Sequence, residues 1–162
     1  MPDILALRPE PAPVNAYLAE HASLLARCYR HWTGRDLLEP AESTANIGQA
    51  LYHAPFVVLS HAHSADPCFD YANLAAQSLF ERPWAEIVGL PSRLSAEPIA
   101  RAERELLLAR VAAHGYIDDY AGVRIARSGR RFRIAQATVW NLISASGQML
   151  GQAACFAHWS DL

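Results

Sequence analysis

At 162 residues, 52% hydrophobic and 19% charged, the chain has the size and balance of one globular domain burying roughly two-thirds of its unfolded surface. No apolar run approaches the ~18 residues of a membrane-spanning helix. A formal net charge of -2 supplies no field to draw in nucleic-acid phosphates, so neither a membrane nor a nucleic-acid partner is expected.

Residues 1–12, "MPDILALRPEPA", carry no positive leader or small-residue cleavage site and read as a flexible arm without an export signal. Val14, Tyr17, Leu18, Leu25, Cys28, Tyr29 and Trp32 then recur at helical spacing, with Pro13 suited to a first turn and Gly34 to a stop. An amphipathic helix over 13–33 is predicted, with His21 as a packed or rim residue of its stripe. A polar break leads to a second helix, about Thr44 to His53, capped by Ser43 or Thr44. "PFVVLS" and "CFDYA" read as strands flanking the polar loop "HAHSADP". Asn73 can cap the helix "LAAQSLF", and "WAEIV" is a short turn between Pro83 and Gly89.

A longer helix is expected from Pro98 to Ala113, with Ile99, Ala102, Leu106, Leu107 and Val111 inward and Arg101, Glu103, Arg104, Glu105 and Arg110 outward. From Tyr116 to Trp159 the period becomes alternating, with turns at Ser128-Gly129 and at 144–147, which gives a three-stranded antiparallel meander. Beside the two early strands this makes an α+β fold: a five-stranded antiparallel sheet with helices on one face, plus N-terminal amphipathic helices. The predicted organisation is an arm at 1–12, a helical segment at 13–54 and the sheet domain at 55–162.

"FDYANLAAQSLFERPWAEIVGLPSR" resembles the opening of a PAS domain, and the closing meander is similar to its last strands. More specifically, "DYANLAAQSLFE", "LPSRLSAEP", "GYIDDYAGVRIARSGRRFRIAQATVWNL" and "GQAACF" resemble the MEKHLA domain, a PAS-related family, over about residues 45–159. That family occurs as stand-alone bacterial proteins and at the C-terminus of plant homeodomain leucine-zipper transcription factors. The resemblance implies a PAS-like fold with a regulatory role, in dimerisation or in sensing a small signal. The sequence contains no homeodomain and no zipper, so DNA binding does not carry over.

Candidate chemistry is sparse. No segment is similar to the flavin-bonding cysteine helix of light-oxygen-voltage proteins, and His114, the one histidine near a haem-ligand position, suits a helix C-terminus instead. Neither flavin nor haem is expected. His61 and His63 would share a side of an extended chain but have no obvious third partner, so no metal is expected. Cys28, Cys68 and Cys155 are odd in number and far apart, which argues against disulfides and fits a reducing cytoplasm. No catalytic residue is assigned; were the chain an enzyme, a lyase or isomerase with a cone-shaped pocket, Asp119 and Tyr120 would be its acid and base beside Arg124.

The arginines of "RIARSGRRFR" straddle a hairpin tip, where charges are normally solvated, but Arg124 lies between Val123 and Ile125, away from the tip. By analogy with PAS register, Arg124, Ala135, Ala137, Val139, Met149 and Ala153 form the inner, ligand-facing set. An enclosed arginine needs an anionic or carbonyl partner: Asp119 or Glu103 first, a ligand second. The small inner residues suit close helix packing or a bound molecule. Phe132, Ile134, Trp140 and Leu142 would form the outer face, covered by the 13–33 helix or by a second subunit. The function expected is a non-enzymatic PAS-like sensory module that binds a small molecule, mediates homodimerisation, or both. A ligand-free dimerisation module is the further alternative.

Overall fold

The computed structural model describes residues 8–39 and 46–162, with the backbone alone at residues 98–100. The arm's residues 1–7 and the expected caps Ser43 and Thr44 lie outside the described residues.

The first predicted helix is shorter than its apolar stripe. Pro13–Leu18 forms 3-10 turns in which Ala16, Tyr17 and Leu18 take left-handed φ values near 54°, and α1 (Ala19–Thr33) begins only after them. The Asn15 side chain explains the break. It accepts from the Ala12 N–H at 3.0 Å and donates to the Glu10 carbonyl at 2.9 Å, local bonds that compete with helical ones. Next, α2 (Ile47–Tyr52) is capped by Asn46, whose side chain accepts from the Gln49 N–H. Gly48 is required there, because a Cβ would collide with the Ala16 and Tyr17 carbonyls.

Strands β1 (Val57–Ala62) and β2 (Phe69–Ala72) pair antiparallel, and α3 (Leu74–Phe80), α4 (Trp84–Ile87), a 3-10 turn (Ser92–Ser95) and α5 (Pro98–His114) follow. Asn73 is fully buried and ties these pieces together. Its oxygen accepts from Ala76 N–H, capping α3, and from Val58 N–H, while its amide donates to the Leu51 and Phe56 carbonyls.

The meander is β3 (Tyr116–Ile125), β4 (Arg131–Ile143) and β5 (Met149–Phe156), with Gly129 and Gly147 at positive φ in its two turns. A sixth strand, β6 (His158–Asp161), extends the expected five. The sheet order is β2-β1-β5-β4-β3, with β6 pairing β4 beyond the end of β5. Two partners fit along one edge of β4 because Gln136 takes φ 54°, a bulge that divides the strand. Residues 138–143 pair with β5, and residues 132–135 pair with β6.

That bulge corrects the expected faces. Before Gln136, Phe132 and Ile134 point to the inner side, where Phe132 meets Phe80 with ring centroids 5.3 Å apart and Ile134 lines a cavity. Beyond it, Ala137 and Val139 point inward, whereas Trp140 meets α1 on the outer side. Phe132 and Ile134 are therefore not on the outer face that α1 covers, and Ala135 is not on the inner one; a one-residue insertion inverts alternation on one side of itself. Trp140, with Leu142 two residues on, lies under α1. Its indole donates to the Leu25 carbonyl at 3.2 Å and packs edge-on to Tyr29 at 5.0 Å, while the Trp32 indole donates to the Asn141 carbonyl. Gly115 ends α5 at φ 95° directly against Trp32, where a Cβ would not fit. Thus α1 covers the outer face from within the same chain, and α3 and α5 cover the inner one.

Candidate functional site

The inner face and α5 bound a half-open chamber of about 70 Å³. Its apolar wall comes from Leu59, Phe69, Phe80, Leu107, Ile134 and Val139, with Ala137 leaving the space. The polar lining is His61, Ser92, Ser95, Arg104, Tyr120, Arg124 and Gln152.

Arg124 reaches the chamber because β3 pairs it with Phe132, on the inward side. It is only 9% exposed, donates to the Val123 carbonyl at 2.9 Å, and lies over the Tyr120 ring at 5.3 Å. Neither expected protein partner meets it. Asp119 is exposed on the other side of β3, lining a groove with Arg35 and Gln136, and Glu103 is exposed on α5. Irregular pairing from Ile117 to Gly122 produces this separation: Ile117, Tyr120, Gly122 and Arg124 face the helices while Asp118 and Asp119 both reach solvent. The acid–base set of Asp119, Tyr120 and Arg124 is accordingly not assembled. Gly122 lets the Tyr120 side chain fold along the strand, because a Cβ there would strike its hydroxyl.

Arg104, expected outward, is the second arginine of the chamber. It is 7% exposed and donates to the Ser92 hydroxyl. Burial, with Arg124 nearby as the next cause, lowers its pKa to about 10, still charged at neutral pH. Among the described residues no carboxylate lies within 4 Å of either guanidinium. The helical spacing of Arg104, Leu107 and Val111 at i, i+3 and i+7 was the signal for its inward position. Leu106 and Ala102, expected inward, are exposed instead.

Of the remaining expected residues, Ala153 borders the chamber, but it pairs with outward Trp140, and Ala154 is the residue opposite inward Val139. Met149 is not in the chamber. It lines a surface groove with His63, Asp66 and Arg93 that shares His61, Arg104, Leu108 and Gln152 with the chamber wall. His61 is buried in that wall, its pKa lowered by burial, and His63 is exposed; no metal-binding group of three or more residues forms among the described residues. Gln152 pins α5 to the sheet, donating to the Leu108 carbonyl and to Asn141, whose own amide donates to the Val111 carbonyl. A chamber of this volume is less than half the roughly 150 Å³ that receives one benzene ring. His114 is exposed at the end of α5.

A second polar cluster, missed in the sequence, lies on the outer side. Ser60 donates to Asp70 at 2.5 Å and accepts from His21 Nε2 at 2.9 Å, and Asp70 pairs with Arg8 at 2.9 Å. The serine's proton is committed to the aspartate, so His21 is not placed to activate it. Burial first, then Arg8, lowers the His21 pKa to about 4.

A family model, that of the MEKHLA domain, matches residues 19–161. The chain belongs to the MEKHLA domain family. The match takes in α1, so the helix that covers Trp140 is part of the family's unit. No curated protein matches the chain. Among solved structures, this MEKHLA domain is similar to a PAS domain from Colwellia psychrerythraea at 13% identity, over 70% of this chain and 92% of that one, with a TM-score of 0.58. An RNA-binding light-oxygen-voltage receptor is similar at 16% identity and TM-score 0.58, over 74% of this chain; the MEKHLA domain spans a third of that receptor's length, 33%. A PAS domain in complex with ethanol, from a LuxR-family transcriptional regulator of Burkholderia thailandensis, is similar at 19% identity and TM-score 0.52, over 70% of this chain and 95% of that one. At these identities the likeness is one of fold: α+β and PAS-like. No helix among the described residues is long and apolar enough to cross a membrane.

Proposed function

We propose that this MEKHLA domain is a non-enzymatic sensory module that holds a small molecule between the inner sheet face and α5. The observation that carries the reading is the half-open chamber, apolar on most of its wall, with Arg124 over the Tyr120 ring among its polar residues. The similar PAS domain in complex with ethanol gives a precedent for a ligand of that scale. Ligand occupancy would be read out through α5, which forms the chamber's lid and is fastened to the sheet through Gln152 and Asn141.

Homodimerisation is the second element of the proposal. With α1 covering Trp140, the association surface moves to β6, whose outer edge is open because β1 pairing stops at Val57–Phe156. Trp159 and Leu162 are exposed there, 39% and 60%. Three free cysteines, with Cys155 pushed up to about 12 by burial, fit a reducing compartment such as the cytoplasm.

Native mass spectrometry of the purified chain tests the ligand role. The expected result is a retained small mass that is weakened in Arg124→Ala without loss of folding. A bare protein that binds no small molecule would instead support a ligand-free dimerisation module. Sedimentation of Trp159→Lys, expected to be monomeric against a dimeric parent, tests the β6 surface, and an unchanged dimer would remove it.

A further inference from the structure

We infer that the chamber takes a short-chain aliphatic monocarboxylate, its carboxylate set between Arg104 of α5 and Arg124 of β3. This rests on the proposed ligand-binding role and names the ligand's class. Two guanidiniums from opposing layers line one half-open chamber, 7% and 9% exposed, with neutral protein acceptors only among the described residues: the Ser92 hydroxyl and the Val123 carbonyl. Like charges so little exposed and with no carboxylate in contact are costly, Glu105 and Asp66 acting on Arg104 only from farther off, and an anion between the two arginines lowers that cost while using the guanidinium fork for paired hydrogen bonds. The lowered Arg104 pKa has Arg124 among its causes, in keeping with their proximity.

The rest of the chamber limits what the anion carries. About 70 Å³ is the share of roughly two water molecules at about 30 Å³ each, which suits two or three carbons better than a ring system. Leu59, Leu107, Ile134 and Val139 offer an alkyl end an apolar wall, which inorganic phosphate or sulfate could not use. A neutral alcohol or amide of the same size would leave both charges unanswered.

The experiment is calorimetric titration and thermal melting of the full chain with propionate, propionamide and sulfate at matched ionic strength. It is repeated on Arg104→Met, Arg124→Met and the double variant. Propionate should bind and raise Tm, propionamide should bind at least tenfold more weakly, and each single variant should lose at least tenfold in propionate affinity. Without ligand, the Met variants should melt no lower than the parent, because each removes an unpaired buried charge. Equal binding of propionamide, unchanged propionate affinity in the variants, or equal stabilisation by sulfate would overturn the carboxylate assignment. A neutral molecule retained in native mass spectra and expelled by Ala137→Leu would preserve the sensory reading while refuting the carboxylate. Failure of every probe, with Ala137→Leu merely stabilising the fold, would refute both.

Discussion

Two polar clusters, the inner one buried and the outer one part-buried, lie on opposite faces of one sheet, and they are built differently. On the outer side Arg8, Asp70, Ser60 and His21 form a chain in which the aspartate answers the arginine and the serine links both to the imidazole. On the inner side Arg104 and Arg124 share a chamber with no carboxylate within 4 Å of either among the described residues, Glu105 and Asp66 acting on Arg104 only from farther off. A protein that needs a buried charge only for its own stability supplies the opposite charge, as the outer cluster does. The inner arrangement is what a site for an outside anion requires.

The largest effect should come from removing the outer layer altogether. Deleting residues 1–35 strips α1 from Trp140 and Leu142 and discards the buried Leu25 and Cys28. Each such side chain contributes roughly 1.5–3 kcal/mol, so the loss approaches a typical domain's whole stability of about 5–15 kcal/mol. Aggregation or loss of the cooperative melt is expected; a soluble, well-folded truncation would show that α1 is not the cover.

Acid should next weaken the outer cluster. The His21 pKa is about 4 when folded and 6.5 when exposed, so between those values the unfolded chain binds a proton that the folded chain does not. The neutral ring's contribution is complete above pH 6.5 and is lost as pH falls toward 4, about 3 kcal/mol across the window. Unfolding free energies from urea melts of the parent and of His21→Gln, measured from pH 7 to pH 4, should diverge by that amount, whereas parallel curves would leave His21 without a part in acid sensitivity.

Single substitutions bring the contrast between the clusters down to one side chain each. Asp70→Ala leaves the buried Ser60 hydroxyl without its acceptor and should cost about 1–3 kcal/mol in denaturant melts, against little or no cost for Arg124→Met. Equal losses in the two would erase the distinction. The smallest effect is expected at the exposed pair of Arg35 and Asp118, 3.4 Å apart, where Asp118→Ala should change stability by less than about 1 kcal/mol.

The sequence carried the architecture more clearly than the site. Turn residues at 128–129 and 144–147, the apolar stripe of α1 and the cap at Asn73 are local signals, and the structure uses each of them locally. The chamber depends on departures from local rule. The bulge at Gln136 occurs without glycine or proline to mark it, and it inverts Phe132, Ile134 and Ala135 relative to simple alternation. Arg104 stands within "RAERE", which reads as a solvated charge run, although its spacing to Leu107 and Val111 places it on their face. The outer cluster joins residues 8, 21, 60 and 70 through long-range packing, and nothing in their separate neighbourhoods announces it.

The central claim, that the inner chamber and not the outer face receives a ligand, is tested most directly by a ¹⁵N–¹H chemical-shift map of the full chain. The map follows titration with propionate, and with ethanol as a neutral probe. Saturable shifts confined to Tyr120–Arg124, Ala137–Val139 and Arg104–Leu108, larger for propionate, are the predicted result. Shifts that gather around His21 and Trp140, or none with either probe, would contradict it.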